Sequence, residues 1–217
     1  MLSRISLIAG ALLLGGASSL AVAQAADRGA ESTIPPIPAP AAVSVDAHSS
    51  ALLVLDISMA ICQPNPACTA TVPAIVSLLA KAREAKVPVI YSTTVNPNGP
   101  PPMLPAVAPQ AGEPTVVARA DKFVDTNLEE LLKQRKVSTL VIVGSAANGA
   151  VLYTSFHANA RGFTVVAAED GLSSPVPINT TLARYQLLNQ PGAANPSNKP
   201  LAERAVTLSR SDLITFR

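Results

Sequence analysis

The chain of 217 residues contains no tryptophan, and aromatic residues make up only 3% of it. It therefore has little with which to stack nucleic-acid bases. A formal net charge of +2 excludes the basic face that a nucleic-acid partner would need. Histidine is almost missing: His48 and His157 are the only two, which excludes a His-rich metal centre. No G-x-G-x-x-G occurs. The segment Gly144-Ser145-Ala146-Ala147-Asn148-Gly149 is not followed by the Lys-Ser or Lys-Thr of a phosphate loop. No cofactor is expected. Cysteine is limited to Cys62 and Cys68.

What the chain does have is apolar residues and proline. A hydrophobic content of 48% over this length supports one domain with a sizeable core. Residues 1–25 read as a secretory signal: Arg4 is the positive start, Ile5 to Leu20 the apolar stretch, and Ala21-Val22-Ala23 and Ala23-Gln24-Ala25 are small-x-small cleavage sites. The rival reading, an uncleaved anchor, has the length but no basic cluster after it. Cleavage leaves 15 basic against 14 acidic side chains and no stable membrane anchor. Residues 26–44 form a Pro- and Ala-rich linker expected to be extended and to take no part in the core. The folded domain is expected over 45–217, with His48 solvated at the linker's end. In an exported chain an even cysteine count suggests a Cys62–Cys68 disulfide, worth about 2–3 kcal/mol by loop closure. A reactive thiol or a redox pair is the alternative, although no C-x-x-C spacing is present.

Five short apolar runs begin at Ala51, Val87, Leu140, Phe163 and Ala205, with a sixth possible at Thr115. Helical patterns separate them, including Thr71 to Lys86 capped by Thr71, Thr126 to Lys136 capped by Thr126, and Thr180 to Gln190. Such alternation predicts a three-layer, doubly wound α/β fold: a mostly parallel five- or six-stranded sheet with helices on both faces. Ser211 to Leu213 should start a final turn. Asn96 to Pro114 is a long loop with seven prolines, readable as a flap near a pocket or as a surface excursion.

The stretch Thr139 to Ser155 (TLVIVGSAANGAVLYTS) organises the rest. A buried strand ends at Gly144, and Asn148 is a good N-cap for a helix that places Ala150 in its first turn. Open α/β folds bind ligands at such strand ends, and the helix dipole there favours negative charge. His157, seven residues after Ala150, falls about two turns down the helix and reads as a surface or packing residue.

The spacing Gly144-x-x-Ala147-x-x-Ala150-Val151-x-x-Thr154 resembles the isochorismatase-like cysteine hydrolases, whose pattern is close to G-x-x-T-x-x-C-V-x-x-T. The resemblance puts the family's nucleophilic Cys at Ala150 and its usual Thr at Ala147. The strand Ala51 to Asp56 (ALLVLD) is similar to the family's first strand, which often ends in D-x-Q. That implies Asp56 as the general base, with Ser58 where Gln is common. Phe123, Thr126 and Leu128 match the family's Phe and T-x-L. The family Lys usually lies several residues before that Phe, whereas Lys122 adjoins it, so Lys122 and Arg119 are both candidate cations. The strand closing at Glu169-Asp170-Gly171 is a further match. In metal-dependent relatives a D-x-H lies near Thr93 to Asn96, where this chain has neither residue.

The resemblance implies an oxyanion hole formed by the backbone N–H groups of Ala147 and Ala150. Ala150 itself has no nucleophilic atom, which excludes thiol chemistry at position 150. The expected function is thus a periplasmic or secreted hydrolase-fold protein in which Asp56 activates water toward a small molecule. An ether or vinyl ether suits that chemistry, since some isochorismatases act without the Cys. Two other functions stay open: a non-catalytic small-molecule-binding protein, and a structural module for which only the linker speaks. The expected partner is a small-molecule ligand or substrate, with a homo-oligomer left open.

Overall fold

The computed structural model describes residues 34–217. The expected signal at 1–25, and the linker as far as residue 33, lie outside the described residues. The element order begins with strand β1 (Val43–Val45), β2 (Ser50–Leu55), helix α1 (Met59–Cys62), α2 (Pro66–Glu84), β3 (Val89–Thr93), β4 (Thr115–Val117) and α3 (Leu128–Gln134). It continues with β5 (Thr139–Ser145), a π-helical turn (Ala147–Val151), α4 (Leu152–Ala160), β6 (Thr164–Ser173), α5 (Pro177–Leu188), β7 (Val206–Ser209) and β8 (Ile214–Phe216).

Six strands form one sheet in the order β4-β3-β2-β5-β6-β7, and every neighbouring pair is parallel. The reason lies in the runs themselves. Strands such as Ser50–Leu55 are buried along their whole length, which suits a sheet covered on both faces. One face packs Leu52, Val54, Val141 and Val143 against Ile75, Leu78, Leu79 and Ala82 of α2. The other packs Leu53, Leu55, Ile142 and Val165 against residues of α3, α4 and α5, including Leu132, Ala158 and Leu187. The chain order reverses between β2 and β5, so their C-terminal ends border the crevice where such folds hold ligands. Those two ends approach closely. A Cβ on Gly144 would lie 2.6 Å from the Leu55 carbonyl oxygen, so only glycine fits opposite Leu55.

Several expected boundaries move. Residues 35–44 are not a free linker. The Ala41 N–H donates to the Leu208 carbonyl (2.9 Å), the Ser209 hydroxyl donates to the Ala41 carbonyl (2.7 Å), and β1 pairs with β8. The cause is the edge strand β7, whose outer carbonyls need donors; non-proline positions of the segment supply them. The expected final turn at Ser211 to Leu213 is present, with the Leu213 N–H donating to the Arg210 carbonyl (2.9 Å), and β8 follows it. Helix α2 begins at Pro66, because proline suits the first helical position. Pro73 lies inside it, and the Thr71 hydroxyl donates to the Cys68 carbonyl (2.7 Å) instead of capping a helix. Strand β6 runs five residues past Ala168, with a register shift against β5 where Gly171 passes Val143. Helix α5 starts three residues early, at Pro177. The expected disulfide is present: Cys62 and Cys68 are bonded, with Cα atoms 5.0 Å apart. Among the described residues no helix is long and apolar enough to cross a membrane.

Candidate functional site

Asp56 follows the last residue of β2, and its φ is +58°. Aspartate is one of the few residues that tolerate this left-handed conformation. Alternation along β2 would send its side chain toward α2 with Leu52 and Val54. The turn breaks that alternation and directs the carboxylate to the Leu53 and Leu55 side, where it meets two partners. Its Oδ2 accepts from Lys122 Nζ at 2.7 Å, and its Oδ1 accepts from the Ser92 hydroxyl at 2.7 Å.

Lys122 lies in the loop between β4 and α3. Its Nζ also donates to the carbonyls of Arg119 (2.5 Å) and Ala118 (3.3 Å), so the ammonium meets three acceptors. Its backbone is fixed from two sides: the N–H donates to the Thr154 hydroxyl of α4 (3.2 Å), and the carbonyl accepts from the Thr126 hydroxyl (2.6 Å). Thr126 also accepts from the Leu128 N–H (3.2 Å), but the N-cap position of α3 is Asn127, so the helix begins later than the sequence suggests. Of the two candidate cations, Lys122 reaches Asp56. Arg119 is exposed and contributes its carbonyl.

The segment after β5 departs from expectation. The Ser145–Ala146 peptide is cis, and a π-turn over Ala147–Val151 precedes α4. Asn148 is not an N-cap. Its Oδ1 accepts from the Ser174 hydroxyl (3.0 Å), and the turn starts one residue before it. Ala147 and Ala150 both sit in this turn, four residues or more before Thr154 and just beyond the β2–β5 contact. The amides of Gly149 and Val151 already donate to the Ala146 carbonyl.

The proline-rich segment closes over the other side. Ser58 and Met103 form an antiparallel bridge. The Met59 N–H donates to the Pro102 carbonyl (2.8 Å) and the Leu104 N–H to that of Ile57 (3.0 Å). The segment's far end is clamped by Arg83, which makes two bonds of 2.9 Å to Glu113. Asp56, Ser58, Ala147, Ala150 and Lys122 are each at most 4% exposed, and the Ser58 hydroxyl has no partner among the described residues. The site is sealed in this state.

Burial pushes the Asp56 carboxyl above its usual range, against the opposing pull of the Lys122 ammonium and the Ser92 hydroxyl. A carboxylate so placed is a stronger base than a solvated one. His157 contacts Asp121 through Nδ1, so it braces the loop carrying Lys122 and is only half exposed. Among the described residues no three His, Cys, Asp or Glu side chains are grouped to hold a metal. Ser92 escaped the sequence reading. Its only signal is its place at the end of the strand beside Asp56. Thr154 stood in the motif without an assigned role.

A parallel sheet covered by helices on both faces, with a crevice at its switch point, defines the class of open α/β folds. The family model described as isochorismatase domain matches residues 50–194, and the chain belongs to that family. It is 32% identical over 110 residues to the secreted isochorismatase effector Isc1 of Verticillium dahliae, covering 46% of this chain and 58% of that protein. It is 28% identical over 159 residues to the N-carbamoylsarcosine amidase of an Arthrobacter species, covering 58% and 60%. The chain thus matches about three fifths of the length of these curated relatives. The crystal structure of a cysteine hydrolase from Pseudomonas syringae pv. phaseolicola superposes with a TM-score of 0.68 over 80% of this chain and 94% of that one, at 17% identity. That likeness bears on the fold alone.

Proposed function

We propose that this chain is an exported isochorismatase-family protein that hydrolyses a small molecule without a thiol, by Asp56-assisted attack of water. The observation that carries the reading is the buried Asp56–Lys122 pair at the β2–β5 switch point, with the Asp56 carboxyl raised toward useful basicity. Water gives its proton to Asp56 as its oxygen adds to the electrophilic carbon. The N–H groups of Ala147 and Ala150, at the start of a helical segment, receive the developing negative charge. Lys122 stabilises the carboxylate before the proton arrives and the anionic site after it. The proton then passes from Asp56 to the leaving group as its bond to carbon breaks. Entry requires the segment around Pro102 and Met103 to leave Ile57 to Met59. Export is supported by the leader-like composition of residues 1–25 and the Cys62–Cys68 bond, and one relative is itself described as secreted.

A second reading, a binding protein that does not turn its ligand over, draws on the methyl side chain at position 150 and on an ammonium already meeting three acceptors. A panel of small amides, esters and vinyl ethers separates the two. Ligands that raise the melting temperature of the chain are identified first and then assayed for turnover. Turnover lost in Asp56→Asn supports the hydrolase. Stabilisation without turnover supports the binder, and turnover unchanged in Asp56→Asn removes Asp56 from the chemistry.

A further inference from the structure

Of the nine large apolar side chains that stand exposed among the described residues, three share one cavity. Val95 (57% exposed), Val117 (39%) and Val124 (48%) line a groove of about 330 Å³ together with Arg119, Asp121 and Asp125. Neither Asp56 nor Ala150 lines it. The groove lies at the open edge of the sheet, since β4 is its outermost strand, and it is reached without moving the proline-rich segment off Ser58. Its volume falls at the lower end of the range for small-molecule sites.

Its charges define the occupant. Asp121 is already used: its Oδ1 accepts from the Phe123 N–H (3.0 Å), and its other oxygen contacts His157. Arg119 and Asp125 form no ion pair among the described residues. The groove thus offers one uncommitted cation and one uncommitted anion beside three valines. We propose that it is a binding site for a small aliphatic zwitterion of the α-amino-acid type. The carboxylate meets Arg119, the ammonium meets Asp125, and the branched apolar body covers Val95, Val117 and Val124. Burying those methyls supplies the apolar part of the affinity, and the opposed charges fix orientation. The site also borders the chemistry, because the Arg119 and Ala118 carbonyls that accept from Lys122 belong to lining residues.

The test uses three probes of matched shape on the purified chain labelled with ¹³C-valine: leucine, isocaproate (leucine without its amine) and isoamylamine (leucine without its carboxylate). Leucine should shift the methyls of Val95, Val117 and Val124 saturably, and each truncated probe should bind about tenfold more weakly, the worth of one charge-assisted contact. Arg119→Gln should bring leucine down to the level of isoamylamine, and Asp125→Asn down to that of isocaproate. Both replaced side chains are exposed, so folding is not at stake. Leucine and isocaproate binding wild type equally would overturn the assignment. So would leucine affinity unchanged in either variant, or no saturable shift at the three valines. None of those results touches the reading of Asp56, whose variants are assayed by turnover.

Discussion

Replacing Lys122 by methionine isolates what the buried pair contributes. Methionine keeps the apolar stem and removes the ammonium. Asp56, only 3% exposed, then loses its cation, and the Ala118 and Arg119 carbonyls lose a donor. Breaking a buried pair from one side costs about 3–5 kcal/mol, which for a domain of this size lowers Tm by roughly 10 °C. The loss depends on pH. Burial already raises the folded-state carboxyl of Asp56, and Lys122 is the strongest influence holding it down. Without Lys122 it rises further, so the folded chain holds a proton that the unfolded chain has released above about pH 3.9. Stability then falls as pH rises through that window. The deficit should therefore be larger at about pH 7 than at about pH 5, and adding Asp56→Asn should restore part of it at the higher pH. With no tryptophan in the chain, urea unfolding followed by far-UV circular dichroism is the suitable assay. A deficit below about 1 kcal/mol, or one that does not grow between the two pH values, would refute a charged, mutually dependent pair.

Two further outcomes test the frame around that pair. Ala150→Cys should fold and, with Cys62 and Cys68 oxidised, should react with iodoacetamide at neutral pH faster than an unperturbed thiol, because the helical N-terminus and Lys122 favour the thiolate; a thiol that titrates near about 8.5 would separate position 150 from the Asp56 site. Gly144→Ala should lose about 1–3 kcal/mol by overpacking, since its Cβ would meet the Leu55 carbonyl oxygen at 2.6 Å, while Gly149→Ala, whose Cβ meets only the Ala146 Cβ at 3.8 Å, should change little. Equal urea midpoints for the two variants would show that the β2–β5 contact yields more readily than its geometry implies.

The family was legible through the resemblance carried by Gly144 to Thr154, and the covered parallel sheet because short, fully apolar runs separated by helical periods leave few alternatives. Asp56 was singled out through the resemblance of Ala51 to Asp56 to the family's first strand, since a strand-end acid by itself is common, and the disulfide was legible through the even cysteine count of a chain with a leader-like start. Element ends were less so. Thr71 carries a start signal, yet the helix begins at Pro66 and the Thr71 hydroxyl donates to the Cys68 carbonyl, and the segment 35–44 reads as linker until the unpaired edge of β7 is known. Asn148 has the composition of a cap, yet Ser174, 26 residues away, takes its side chain.

What the sequence determined alone was therefore local: the hydrophobic periods, the acid at the end of β2, the alanine at position 150, and the presence of two cysteines with no others. The tertiary structure decided which groups meet. It chose Lys122 over Arg119 as the partner of Asp56, brought in Ser92 from a neighbouring strand, and sealed the site under the proline-rich segment. It also gathered three exposed valines, an arginine and an aspartate into one groove. The meeting of Asp56, Lys122 and Ser92 depends on side chains far apart in sequence and on a left-handed turn at Asp56. Such contacts are set by the packing of the whole sheet, and no local pattern of residues encodes them.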